Sequence, residues 1–357
     1  MKLPAYPLIL LFASAVLMAC GSIGQPIEKT TQGIHASTTP PGEAPAEAPT
    51  VAAINLTSTP TREPISIGVS KGKIAYSHED DIYVMNADGS EVSRLTNDPA
   101  MDFDPAWSPD GTKIAFRSHR DGNEEVYLMN ADGSDQQNLS NAPGGDYSPV
   151  WSPDGNWIAF MSDRGGNPNV WAMRPNGSEV RQVTDLPGIS EYPTWSPDSR
   201  SIAFHCTFGH VLPGGAGDFE ICVVKADGTG LTQLTDAAGE SKLPAWSHDG
   251  TRIAFQSNRN GWPTLPDYVP PGYDSEVFGD FEIYVMNIDG SDPQNLTNHP
   301  QADDTFPAWS RDGYLVFSRY GCLMVLNPDE ARPVKISKGA CTGTDSGQFP
   351  DWYQPAN

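Results

Sequence analysis

The chain has 357 residues, with 34 Gly, 33 Pro and a formal net charge of −23 from 22 Lys plus Arg against 45 Asp plus Glu. Such a charge repels nucleic acid, and so much Gly and Pro suits short strands joined by turns rather than long helices. No Gly-x-Ser-x-Gly elbow, His-Glu-x-x-His zinc helix, phosphate loop or Cys-x-x-Cys occurs, so the common signatures of hydrolase, zinc, nucleotide and dithiol chemistry are missing.

Residues 1–20 carry Lys2, an apolar run from Leu8 to Met18, and Ala19-Cys20. The run is too short for the ~20 residues that span a bilayer but suits a signal peptide. Leu17-Met-Ala-Cys20 resembles the bacterial lipobox, which implies lipid attachment at Cys20, export, and anchoring to a membrane facing the periplasm or the cell surface. Residues 21–64 hold seven Pro and eight Thr but no Phe, Trp or Tyr. Such a stretch cannot bury enough apolar surface to offset the entropy of ordering, so it reads as a disordered tether spanning roughly 35–40 Å.

From residue 65 the chain repeats itself. Phe103-Asp-Pro-Ala-Trp-Ser-Pro-Asp-Gly111 returns as Tyr147-Ser-Pro-Val-Trp-Ser-Pro-Asp-Gly155, and in altered form around Trp195, Trp246, Trp309 and Trp352. Tryptophans at 107, 151, 195, 246, 309 and 352 give spacings of 44, 44, 51, 63 and 43 residues, a period of propeller blades. Each unit reads as four strands. Strand a carries Pro-x-Trp and ends in a Ser-Pro-Asp-Gly turn. Strand b is Ile-Ala-Phe or a variant, from Ile74-Ala-Tyr76 to Leu315-Val-Phe317. Strand c runs from Ile82-Tyr-Val-Met85 to Leu323-Met-Val-Leu326, then an Asn-Ala-Asp-Gly hairpin signal leads to strand d, ending in Leu-Thr or similar. The b and c runs are apolar throughout, as expected for sheets covered on both faces.

Six copies of b, c and d occur, but the first b strand has no Trp motif before it and Phe349-Pro-Asp-Trp352 has no b strand after it. The two halves complete one blade. The expectation is an all-β fold: a six-bladed β-propeller of four-stranded antiparallel blades over residues 65–357, closed by pairing of the C-terminal and N-terminal strands, with an extra edge strand at 65–70 allowed.

The register of Pro-x-Trp-Ser-Pro-Asp-Gly, Ile-Ala-Phe, Ile-Tyr-Val-Met-Asn-Ala-Asp-Gly and Leu-Thr resembles the TolB-type, WD-repeat-like propeller over about residues 66–353. TolB is a periplasmic protein of the Tol-Pal envelope system with a domain before its propeller, where this chain has a tether. Related repeats occur in tricorn-type proteases, prolyl oligopeptidases and oligogalacturonate lyases, so the function has to be read from the site.

The a-to-b and c-to-d turns share one face, and the more variable b-to-c and d-to-a loops share the other, where binding is expected. Two b-to-c loops are long, 207–218 and 258–280, and the second offers Trp262, Tyr268 and Tyr273 as ligand contacts. The residues ahead of each Pro-x-Trp bring Asp102, Asp104, Asp146, Glu191, Asp303 and Asp304 towards a channel mouth, where converging carboxylates suit Ca²⁺ or a partner's Arg or Lys. The expected function is a non-catalytic, surface-anchored module that binds an envelope protein, peptide or glycan. It needs no cofactor, binds no nucleic acid and acts as a monomer. The alternative is a metal-dependent polysaccharide lyase, or another hydrolase, drawing on His78, His119, His205, His210 and His299 near the loop face. His248, in place of a turn proline on the other face, has no assigned role. Four cysteines remain for two disulfides, Cys206 with Cys222 and Cys322 with Cys341.

Overall fold

The computed structural model describes residues 72–207, 219–259, 281–299, 302–330, 333–336 and 350–353. Residues 64–357 form one compact unit. Its described part holds strands and turns, with no helix.

Six four-stranded antiparallel sheets follow one another. In blade 1, β1 (Lys73–His78), β2 (Asp81–Asn86) and β3 (Ser93–Arg94) are completed by the last strand, β24 (Asp351–Tyr353). Blade 2 comprises β4 (Asp102–Trp107), β5 (Lys113–Ser118), β6 (Glu125–Asn130) and β7 (Gln137–Asn138); blade 3, β8 (Asp146–Trp151), β9 (Ile158–Ser162), β10 (Asn169–Met173) and β11 (Arg181–Gln182). Blade 4 has β12 (Ser190–Trp195), β13 (Ser201–Cys206), β14 (Glu220–Lys225) and β15 (Thr232–Gln233). Blade 5 has β16 (Ser241–Trp246), β17 (Arg252–Ser257), β18 (Glu282–Asn287) and β19 (Gln294–Asn295), and blade 6 has β20 (Asp304–Trp309), β21 (Leu315–Arg319), β22 (Cys322–Leu326) and β23 (Val334–Lys335).

The ring closes as the repeat arithmetic requires. Tyr353, Trp352 and Asp351 pair with Lys73, Ile74 and Ala75, and Asp351 Oδ2 accepts the Trp107 N–H of the next blade at 2.6 Å. The proposed strand at 65–70 lies outside the described residues.

Apolar packing explains why no blade stands alone. Six buried clusters each draw on two neighbouring blades, from Ala75, Ile82 and Val84 against Trp107, Ile114 and Phe116, round to Ile74 and Met85 against Val316, Leu323 and Val325. The third residue of Ile-Ala-Phe is fully buried at Phe116, Phe160, Phe204, Phe255 and Phe317, each such ring contributing about 2–3 kcal/mol on burial.

Two polar devices recur. Strand d is only two residues long, and the Thr or Ser that follows takes the N–H near the start of strand c: Thr96 from Ile82 (2.9 Å), Ser140 from Val126 (2.9 Å), Thr184 from Val170 (2.9 Å), Thr235 from Ile221 (2.9 Å) and Thr297 from Ile283 (3.0 Å). The same hydroxyls donate to a buried side chain on that strand: Asp81, Glu125, Asn169, Glu220 and Glu282. This gives the Leu-Thr signature its physical role. The second device is the hairpin glycine. Gly133, at φ +86°, sits so close to the preceding blade that a Cβ would meet the Leu95 carbonyl oxygen at 2.6 Å, and Gly89, Gly177, Gly228 and Gly290 meet the equivalent backbone in their own neighbours.

Candidate functional site

The inner strands β4, β8, β12, β16, β20 and β24 enclose a cavity of about 750 Å³ along the propeller axis. Proline suits these strands because it cannot donate to a further strand, and among the described residues no strand pairs on the channel side. Each proline is preceded by a residue at positive φ: Asp104 (+54°), Ser148 (+49°), Tyr192 (+52°), Leu243 (+53°) and Phe306 (+55°). At that point the pairing with strand b skips, for example between Phe103 and Ala106, which marks a bulge. Bulges re-aim side chains, and here all five of these residues line the cavity with the Pro and Trp that follow them.

Pro109, Pro153, Pro197, His248 and Arg311, from the a-to-b turns, line the other end. The cavity therefore reaches the face of the uniform Asp-Gly turns. The described residues of the loop face, where binding was expected, do not line it. In those turns Asp110, Asp198 and Asp249 accept the hydroxyls of Ser108, Ser196 and Ser247 at 2.6–2.7 Å. Those bonds hold the three carboxyls below the usual range, so they stay charged into acid.

At the inner end Asp104 is buried, with its Oδ2 on Arg117 Nε (3.2 Å) and on the Ser148 hydroxyl (3.1 Å). Burial raises its pKa, opposed by Arg117 and then Ser148. Arg117 faces the rings of Phe103 and Tyr147 at 5.0 and 5.6 Å. On blade 4, His205 is buried against Tyr192, with ring centroids 5.2 Å apart. Its Nδ1 accepts the Leu243 N–H (3.3 Å), so Nε2 carries the proton donated to Glu191 (3.2 Å). Burial pushes the His205 pKa down, with Glu191 acting against it.

The carboxylates expected to form a ring separate into different roles. Asp102, Asp146 and Asp304 hold equivalent positions at the start of their inner strands, and all three are fully buried. Each is paired with an arginine, Arg120 (2.9 Å), Arg164 (2.6 Å) and Arg319 (2.5 Å) respectively. These arginines lie over the blade's own aromatic rings, Arg120 over Phe116 and Tyr127, Arg164 over Phe160 and Trp171, and Arg319 over Phe317. The pairs staple the loop ends of the blades, and of the expected carboxylates Asp104 alone lines the channel. Glu191 is one residue out of register: Ser190, opposite Cys206, stands where Asp102 stands opposite Ser118. Asp303 is exposed and accepts the Phe281 N–H at 2.9 Å. No group of three or more His, Cys, Asp or Glu suited to a metal occurs among the described residues.

Among the described residues the histidines do not converge. His119 faces Glu124 (3.5 Å), His78 faces Glu79 (3.9 Å), and the His299 N–H is held by Glu282. His210, Trp262, Tyr268 and Tyr273 lie outside the described residues. Cys206 and Cys222 are joined across β13 and β14 at the base of the first long loop. Cys322 is disulfide-bonded, while Cys341 lies outside the described residues.

Three features went unread in the sequence. One is the arginine that pairs with Asp102, Asp146 and Asp304, although Ser118-His-Arg120, Ser162-Asp-Arg164 and the shortened Ser318-Arg319 follow strand b just after its Ile-Ala-Phe or Leu-Val-Phe. The second is the turn-face mouth, where His248 and Arg311 replace a proline. The third is the residue before each proline, whose variation in an otherwise regular motif marks the channel lining.

Residues 72–141 and 105–209 match the family model described as TolB beta propeller domain. A relative described as a TolB homolog, from Chlorobium luteolum (strain DSM 273 / BCRC 81028 / 2530), is 38% identical over 60 residues. That match spans 16% of this chain and only 14% of the relative's length. Among solved structures, TolB from Acinetobacter baumannii superposes with a TM-score of 0.60 at 20% identity, covering 79% of this chain and 66% of that one. A structure described as putative TolB from Agrobacterium tumefaciens gives 0.58 at 20% identity, covering 80% and 99%. At such identities the structural likeness speaks for the fold alone.

Proposed function

We propose that this chain, a TolB-type six-bladed propeller, is a non-catalytic binding module of the bacterial cell envelope, holding a peptide segment of a partner in its axial channel. The observation that carries this reading is the channel itself. A preformed cavity of about 750 Å³, walled by repeated Pro and Trp with a few placed polar groups at its inner end, has the make-up of a ligand site. Strand walls fixed by two-sided packing need little ordering on binding, which favours affinity for a flexible segment. Export behind the signal peptide, acylation at Cys20 and the tether at 21–64 would hold a monomeric propeller clear of the membrane. The module works without a cofactor, and a glycan is the alternative ligand.

The test is selection from a random peptide library on the purified protein, with envelope glycan fragments in parallel, followed by titration against Pro153→Trp and Pro197→Trp. Both positions border the mouth, so a channel ligand should lose at least tenfold in affinity while the fold is kept. A ligand indifferent to both substitutions binds elsewhere and contradicts this reading.

A further inference from the structure

The inner end of the channel departs from six-fold symmetry. Of its five described bulge residues, Asp104, Ser148 and Tyr192 make a polar arc on blades 2 to 4, while Leu243 and Phe306 make an apolar arc on blades 5 and 6. Within the polar arc, Asp104 is 94% buried, since only 6% of it is exposed. Its Oδ2 is taken by Arg117 and Ser148, but its Oδ1 has no hydrogen-bond partner. A buried acceptor without a donor is unfavourable, and this one belongs to a residue of the cavity wall. The atom is shielded in the resting structure, and a donor entering the channel would satisfy it once the carboxylate turns toward the cavity.

We infer that this arc is the receptor for one cationic group, a guanidinium or ammonium, carried by a peptide that enters through the turn-face mouth. The inference rests on the channel being the peptide site. Three observations select a cation over a neutral donor. The open acceptor is a carboxylate, and charged partners make the stronger bond. The a-to-b turns around the mouth carry Asp110, Asp154, Asp198, Asp249 and Asp312 against the cations Arg200 and Arg311, with Asp249 and Arg311 on the cavity wall, and a rim of net negative charge concentrates and steers cations. Arg117, the cation nearest the arc, is already placed on Asp104 and against two rings. Tyr192 and Phe306 offer ring surface for the stem or plane of the incoming group.

The depth of the site narrows the partner further. Asp104 and Pro109 stand five positions apart on a strand that is bulged at Asp104 and ends at Trp107, which places the arc roughly 12–16 Å from the mouth at the rise of a β-strand. That exceeds the reach of an arginine side chain presented by a folded surface. The cation must therefore sit on a linear segment, with about five extended residues inside the channel.

The experiment compares two probes on the purified full chain by isothermal titration: Ac-Gly-Phe-Arg-Phe-Gly-NH2 and the same peptide with citrulline, which keeps the shape of arginine and removes its charge. The arginine peptide is expected to bind about tenfold or more tightly, as for a hydrogen bond to a charged group. Asp104→Asn is expected to abolish that preference, and circular dichroism and melting check its fold. Should Asp104→Asn fail to fold, Ser148→Ala together with 1 M NaCl provides the second arm, each expected to shrink the preference. Equal binding of both peptides to the native protein overturns the inference but leaves the channel reading intact. A preference that survives in folded Asp104→Asn also overturns it. Absence of any arginine-peptide binding at millimolar concentration overturns it too, and the Pro153→Trp experiment then decides the channel reading separately.

Discussion

Replacing Gly133 by alanine isolates the contact that locks one blade to the next. Gly133 and Gly155 both adopt positive φ, +86° and +71°, so alanine at either must enter the left-handed region, at about 1–2 kcal/mol. Their surroundings differ. A Cβ on Gly155 has no heavy atom within 4 Å, whereas one on Gly133 meets the Leu95 carbonyl oxygen at 2.6 Å, where ordinary contact begins at 3.4 Å. The obstacle is backbone of the preceding blade and cannot rotate away, so the seam must open, adding about 1–3 kcal/mol as for an overpacked core. Gly155→Ala should thus cost ~1–2 kcal/mol and Gly133→Ala ~2–5 kcal/mol, read from urea midpoints at constant slope. Equal midpoints for the two variants would refute the argument that the hairpin glycines are needed for close approach between blades as well as for their φ.

Other outcomes follow from single contacts. Ending the chain after residue 348 removes β24, exposes the edge of β1 and strips the Trp107 N–H of its acceptor; it should lower the melting temperature by more than 10 °C or drive aggregation, since unpaired edges template association, and a truncated protein melting with the full chain would contradict ring closure. Asp146→Ala leaves Arg164 without its buried partner and should cost about 3–5 kcal/mol, while leaving binding by correctly folded protein unchanged. Cys206→Ser with Cys222→Ser opens a bridge between residues 16 apart and should cost about 3 kcal/mol; non-reducing peptide mapping checks the pairing. Burial pushes the Glu220 carboxyl up to about 7, against the Thr235 hydroxyl bond and then Arg259. The native state then holds this proton more tightly than the unfolded chain, so its contribution falls as pH rises from about 4.5 to 7 and is level above that. Glu220→Gln should remove that slope and melt higher than the native protein at pH 8, and melting curves from pH 4 to 8 read both.

The blades were legible because their signals are local and repeated. Ile-Ala-Phe and the apolar c strands emerged as β5 with β6, β9 with β10 and their counterparts, and the unmatched ends at Ile74 and Trp352 emerged as a paired register. The site was harder to read because its determinants are relational. Asp102 looks like a channel carboxylate until Arg120, 18 residues on, is seen to claim it, and neither residue alone announces a buried pair. Charge alone groups Glu191 with Asp102 and its counterparts, whereas Ser190 holds the equivalent register position opposite β13. The bulge at Asp104, Ser148, Tyr192, Leu243 and Phe306 is a backbone conformation without a residue preference, as five different side chains adopt it. The same regularity that revealed the Asp-Gly turns hid their second role, because a turn that satisfies its own hydroxyls and N–H groups reads as structure, and only its position at the end of the channel makes it a mouth.

The most direct test of the account is site-specific photocrosslinking to a peptide selected on the native protein. One benzophenone side chain replaces the exposed Asn156, in the a-to-b turn beside the mouth but outside the cavity wall, and another replaces Gly165 on the loop face, where a Cβ meets nothing closer than 3.5 Å. A channel ligand gives crosslinks from position 156 that free peptide competes away, and none from position 165. Crosslinks from position 165 alone would place the ligand on the loop face and contradict the assignment of the channel.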